Sequence, residues 1–164
     1  MLSQKTRYAL RALLHMVERH GGAPTQIAEI AEAQKVPRKY LELIMLELKK
    51  AGIVSSRRGP GGGYRLARPA SEISFADILR ITDGPIALVP CASLNFYQRC
   101  DDCHDEATCA IRRIMSEVRA EAVRILGGTS LADAAGMELG DFDAPTRGGA
   151  TGRKALAADR AKAG

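Results

Sequence analysis

Residues 36–69 read "VPRKYLELIMLELKKAGIVSSRRGPGGGYRLARP", and the order of the parts in this stretch decides the fold. Pro37 suits the first turn of a helix, where its missing N–H would have had no partner. Leu41, Ile44, Met45 and Leu48 then recur at spacings of three and four, which makes one apolar face. Arg38, Lys39, Glu42, Lys49 and Lys50 occupy the other faces. Gly52 ends the helix. "IVSSRR" and "GYRLAR" have strand character, and "GPGGG" between them is a turn rich in residues that tolerate positive φ.

Upstream residues complete the motif. After Pro24, Thr25 can cap a short helix carrying Ile27, Ile30 and Ala31, and "AQKVP" connects it tightly to the next. Two helices at a short turn followed by a basic hairpin make a winged helix-turn-helix. Before it, Ala9, Leu10, Leu13, Leu14 and Val17 form the stripe of an amphipathic helix from Thr6 to Glu18, ended by Gly21-Gly22. After it, Ser74 caps "SFADILRITDG", with Phe75, Ile78 and Leu79 facing inward. The expected fold is mainly α with a small β-hairpin, and residues 1–84 form the DNA-binding domain.

Charge supports that reading. Residues 1–70 hold 13 Lys/Arg against 5 Asp/Glu (+8), and residues 71–164 hold 11 against 14 (−3), so the positive charge belongs to the first half. A basic domain of this kind suits a polyanion. Aromatic residues make up only 4% of the chain, too few for a row of stacked single-stranded bases, and double-stranded DNA is the expected partner. In a winged helix the start of the second motif helix enters the major groove, which puts Arg38, Lys39, Tyr40 and Glu42 nearest the bases. Gln26, Arg57, Arg58, Tyr64 and Arg65 complete the candidate DNA-binding set. No phosphate-cradling glycine motif with Lys and Ser or Thr, no His-Glu-x-x-His and no nucleophile–base pair points to an enzyme. The opening residues lack the uninterrupted apolar run of a secretory signal, and no segment reaches the roughly 20 apolar residues of a membrane span. The expected location is cytoplasmic.

All four cysteines lie in residues 91–109, "CASLNFYQRCDDCHDEATC". A reducing compartment argues against structural disulfides. Four thiolates, or three with His104, can make a tetrahedral zinc shell, although zinc sites usually show two close pairs and only Cys100 and Cys103 form one here. Iron–sulfur clusters prefer thiolates and accept wider, loop-borne spacing. Free thiols are the third alternative, and spacing leaves all three open. Beyond the loop, Ile111, Ile114, Met115, Val118, Ala122, Ile125 and Leu126 keep a three-four spacing over more than four turns. Such a stripe on a long helix suits pairing with its twin in a homodimer. "GTSLADAA" closes the fold with a short helix, and residues 136–164 read as a disordered tail.

The segment quoted first, the opening "LSQKTRYALRALL" and the downstream cysteines resemble the Rrf-two family of bacterial regulators, the family of IscR, NsrR and RirA. The resemblance covers residues 1–133, and "RRGPGGGYRL" is its most specific part. It implies a transcriptional regulator with its wing at 53–68 and a dimerisation helix at 111–126. It also implies a two-iron or four-iron cluster that senses iron, redox state or nitric oxide, with zinc the lesser alternative. Cys91, Cys103 and Cys109 match the three cysteines that the family commonly supplies. At positions where relatives place a fourth ligand, this chain has Arg112, Tyr8 or Ala12, so the fourth ligand falls to Cys100, with His104 second. Residues 85–110 thus become a sensor loop, and residues 111–135 a dimerisation helix and closing segment. The alternative is a cluster-free regulator or interaction module, controlled by a metabolic enzyme partner or by zinc or thiol chemistry.

Overall fold

The structure, a computed structural model, describes residues 2–20 and 24–137. The expected helix stop at Gly21-Gly22 and the tail beyond residue 137 lie outside that range. Among the described residues the helices are α1 (Gln4–His20), α2 (Ile27–Gln34), α3 (Arg38–Lys50), α4 (Phe75–Thr82), α5 (Ala110–Gly128) and α6 (Leu131–Ala135). One antiparallel hairpin, β1 (Val54–Arg57) and β2 (Gly63–Leu66), sits between α3 and α4.

The apolar stripes read from the sequence meet in one core. Leu13 of α1, Ile30 of α2, Leu41, Ile44, Met45 and Leu48 of α3 and Ile78 of α4 are all inaccessible or nearly so. Each such side chain contributes roughly 1.5–3 kcal/mol of burial, enough to fix which face of each helix turns inward. The helix-turn-helix bend falls at Lys35, whose φ of 51° is the left-handed conformation that closes a helix. Val36 follows it into the core, its N–H donating to the Ala31 carbonyl at 2.9 Å.

Two local expectations shift by a residue. Pro37 is the N-cap of α3 rather than part of its first turn, and the helix begins at Arg38. The N-cap of α2 is Gln26, without a side-chain cap, and not Thr25. Thr25 instead exchanges both main-chain hydrogen bonds with Tyr64, each 2.8 Å, an isolated antiparallel bridge that ties the chain before α2 to the wing. This pairing keeps Thr25 extended and buries its hydroxyl without a hydrogen-bond partner.

After α5 the chain returns to the core built by α1 to α4. Phe75 N–H donates to the Thr129 carbonyl at 3.0 Å and Leu131 N–H to the Ile73 carbonyl at 2.9 Å, a strap one bridge long between Ser74 and Ser130. Each of those serines also begins a helix with a reciprocal cap, Ser74 with Asp77 and Ser130 with Asp133. Leu131 is fully buried in the core built by α1 to α4. Helix α5 itself buries no residue completely, and Ile111, Ile114, Val118 and Ile125 are 67, 50, 44 and 56% exposed.

Candidate functional site

The basic residues of the wing and of α3 stand in solvent. Arg38, Lys39 and Glu42 are exposed, with Arg38 and Glu42 paired at 3.1 Å across one helical turn. Tyr40 is exposed and meets the Tyr8 ring of α1 edge to face, 5.9 Å between centroids. Gln26 is exposed at the start of α2. Arg57 and Arg58 are exposed next to the wing tip, Arg65 donates to Ser55 Oγ across the hairpin at 3.2 Å, and half-buried Tyr64 is tied to Thr25. Lys49 donates to Ser56 Oγ at 2.7 Å, joining the end of α3 to the wing. Leu43, 60% exposed on α3, was not singled out by sequence, although it falls off the core stripe within the helix that carries the DNA-facing candidates.

The glycine run has a stricter role than flexibility. A Cβ on Gly63 would stand 2.5 Å from the Thr25 carbonyl oxygen, and one on Gly62 would stand 2.4 Å from that of Arg57. The wing therefore lies against the chain before α2 at a distance only glycine allows.

All four cysteines line one cavity of about 750 Å³, within the range of ligand sites. Its walls come from three places. Cys91 sits in a 3-10 turn, Pro90–Ala92; Cys100 and Cys103 lie in the loop; Cys109 is the N-cap of α5. Cys100 is exposed, and the other three are half-buried. His104 is exposed on the same cavity. The main-chain N–H of Arg112, 3.5 Å from Cys109 Sγ, holds that thiol below its usual value, helped by a hydrogen bond from Cys103. Partial burial, then the bond to Cys109, pushes the Cys103 thiol up. Among the described residues no three Cys, His, Asp or Glu side chains converge as a ready-made metal shell. The donor chemistry nevertheless fits: four soft thiols face one space, as iron–sulfur or zinc ligation requires.

The acidic residues of the loop are partly structural. Asp105 accepts from Ala107 N–H at 3.0 Å and Thr108 Oγ1 at 2.9 Å, and Glu106 accepts from the Tyr97 hydroxyl. Two arginines matter in a way the sequence reading missed. Arg112 Nε donates to the Cys91 carbonyl at 3.1 Å, and Arg119 Nη1 to the Ala92 carbonyl at 2.8 Å. Their separation of seven residues, two helical turns, was the available signal.

Comparison with known proteins agrees with this architecture. A family model described as Rrf2, an iron-dependent transcriptional regulator, matches residues 2–136. A Rhodobacter capsulatus protein described as an rrf2-like HTH-type transcriptional regulator is 46% identical over 121 residues, which is 72% of this chain and 81% of its own. A Mycobacterium tuberculosis protein described as an HTH-type transcriptional regulator is 37% identical over 138 residues, 84% of this chain and 83% of its own. Among solved structures, CymR, the global cysteine regulator of B. subtilis, superposes with a TM-score of 0.69 at 32% identity, covering 82% of this chain and 95% of its own. IscR of T. potens gives 0.63 at 28% identity, over 87% of this chain and 95% of its own. The family match over nearly all the described residues, joined to the shared winged-helix fold, shows that this chain belongs to the Rrf2 family of DNA-binding transcriptional regulators.

Proposed function

We propose that this regulator binds double-stranded DNA as a cytoplasmic homodimer and adjusts that binding through an iron–sulfur cluster held by Cys91, Cys100, Cys103 and Cys109. The observation that carries the reading is that all four cysteines line one cavity at the N-terminus of α5. The far end of α5 is strapped to the start of α4 in the DNA-binding domain. When bound, a two-iron or four-iron cluster supplies one-electron redox chemistry and sensitivity to iron, oxidants or nitric oxide. The protein's own part is mechanical. Drawing Cys100 and Cys103 towards Cys91 and Cys109 loads the root of α5, and the strap passes the load to the winged helix. Regulation follows only to the extent that the loaded and unloaded arrangements differ in DNA affinity.

The DNA-reading residues of this proposal are Arg38, Lys39, Tyr40 and Glu42 at the bases, with Gln26, Arg57, Arg58, Tyr64 and Arg65 on sugar and phosphate. Exposed Leu43 adds an apolar contact suited to a thymine methyl group. The dimer forms through α5, where Ile111, Val118 and Ile125 repeat every seven residues with Ile114 between them. Two recognition helices so paired read half-sites about 34 Å apart. In this proposal residues 1–84 act as the DNA-binding domain, 85–110 as the sensor loop, and 111–135 as the dimerisation and closing segment.

Purification without oxygen, an absorption spectrum and assays of iron, sulfide and zinc test this reading. A brown protein with iron and sulfide, whose DNA affinity changes on exposure to air or nitric oxide, is expected. Colourless protein with stoichiometric zinc sinks the cluster. It would favour the second reading, a cluster-free regulator governed by zinc or thiol chemistry or by a metabolic enzyme partner. That reading draws on the ungathered thiols and on the likeness to CymR.

A further inference from the structure

Arg112 touches both ends of the cysteine segment. Its main-chain N–H points at Cys109 Sγ, 3.5 Å away, and its guanidinium Nε donates to the carbonyl of Cys91 at 3.1 Å. It also lines the cavity that holds the four thiols. Two turns further along the same helix, Arg119 grips the next carbonyl, that of Ala92. The main-chain bonds of the Pro90–Ala92 turn run from Ala92 N–H to Val89, and from Ser93 N–H and Gln98 N–H to Pro90, and none of them reaches α5. Among the described residues, the hydrogen bonds that run from α5 to this turn are those of the two arginines.

We infer that Arg112 is a positioning residue for the thiol-lined cavity. It sets the separation of Cys91 from Cys109 and faces a cation towards whatever anionic metal–thiolate centre the cysteines hold. The first half stands on the hydrogen bonds alone, and the second rests on the metal-centre reading above. Thiolates bound to iron or zinc leave net negative charge on the centre, and a half-buried guanidinium answers it without competing as a ligand, since it has donors only. Arg119 works as a strut on the same turn and lies outside the lining of the cysteine cavity.

Amide hydrogen exchange on the metal-free protein tests the positioning role. In Arg112→Gln and in Arg119→Gln the amides of Ala92 and Ser93 are expected to exchange roughly tenfold faster, the scale of losing one hydrogen bond to a charged group, while α4 keeps its protection as evidence of an intact fold. Unchanged exchange in Arg112→Gln overturns the inference. Protein loaded with iron and sulfide, or with zinc, is then challenged with a chelator. Arg112→Gln is expected to lose metal several-fold faster than wild type, Arg112→Lys to recover most of the difference through its charge, and Arg119→Gln to fall between them. Equal loss rates in Arg112→Gln and wild type would remove the charge role. A chain that takes up neither iron nor zinc overturns the metal-centre reading, while the exchange measurement still decides whether Arg112 holds the turn.

Discussion

At the scale of single residues, Gly63 shows how a motif that reads as loose is held to close tolerance. Its missing Cβ lets β2 pair with Thr25, and any side chain would meet the Thr25 carbonyl. Gly63→Ala is therefore expected to destabilise the domain by about 1–3 kcal/mol, the scale of overpacking, and to weaken DNA binding as the wing is displaced. Chemical denaturation measures the first effect and DNA titration the second. A midpoint equal to wild type would mean the wing relaxes freely. The same run looks in the sequence like simple turn chemistry, because the carbonyl that forbids a side chain lies 38 positions earlier in the chain.

Elements depend on their ends. The Ser130–Asp133 box begins α6 and, with Ser74 across the bridge, fixes the strap that returns α5 to the core. Hydrogen bonds from the Ser130 side chain, then from its main chain, hold the Asp133 carboxyl below its ordinary value of 3.8. A lowered folded value means the folded state binds this proton less readily than the unfolded one. The contribution to stability is thus full above the ordinary value and is lost as pH falls through the depressed one. Wild type and Asp133→Asn unfolded in denaturant between about pH 5 and pH 2 are expected to converge as pH falls. Parallel curves over that window would show that the carboxylate adds nothing as a charge. Both serines were candidate caps by residue type, and Ser74 was recognised as one. The pairing of the two caps across a bridge was visible only in three dimensions.

For the molecule as a whole, the outward face of α5 and the charge of the wing make separate demands. Four apolar residues on α5 are 44 to 67% exposed in the single chain, an arrangement that a second copy would cover. If α5 forms the proposed homodimer, Ile114→Glu with Ile125→Glu is expected to give a monomer in sedimentation and to reduce operator affinity by losing one half-site. A dimer that survives both charges would place the interface elsewhere. Arg57→Ala with Arg58→Ala is expected to weaken binding to all sequences alike and to lower the salt slope by about two phosphates' worth. Unchanged affinity removes the wing from the interface.

The sequence by itself determined the order of helices, the hairpin and the inward faces of α1, α3 and α4, because these follow from local periodicity and turn chemistry. It also placed all four cysteines in one segment of nineteen residues. Tertiary structure alone decided that Thr25 joins the wing instead of capping α2, that Leu131 returns to the first core, and that Arg112 and Arg119 clamp the turn carrying Cys91. The hydrogen bonds among these contacts join residues 21 to 58 positions apart, and a bond across such a span leaves no periodic trace in the chain that makes it.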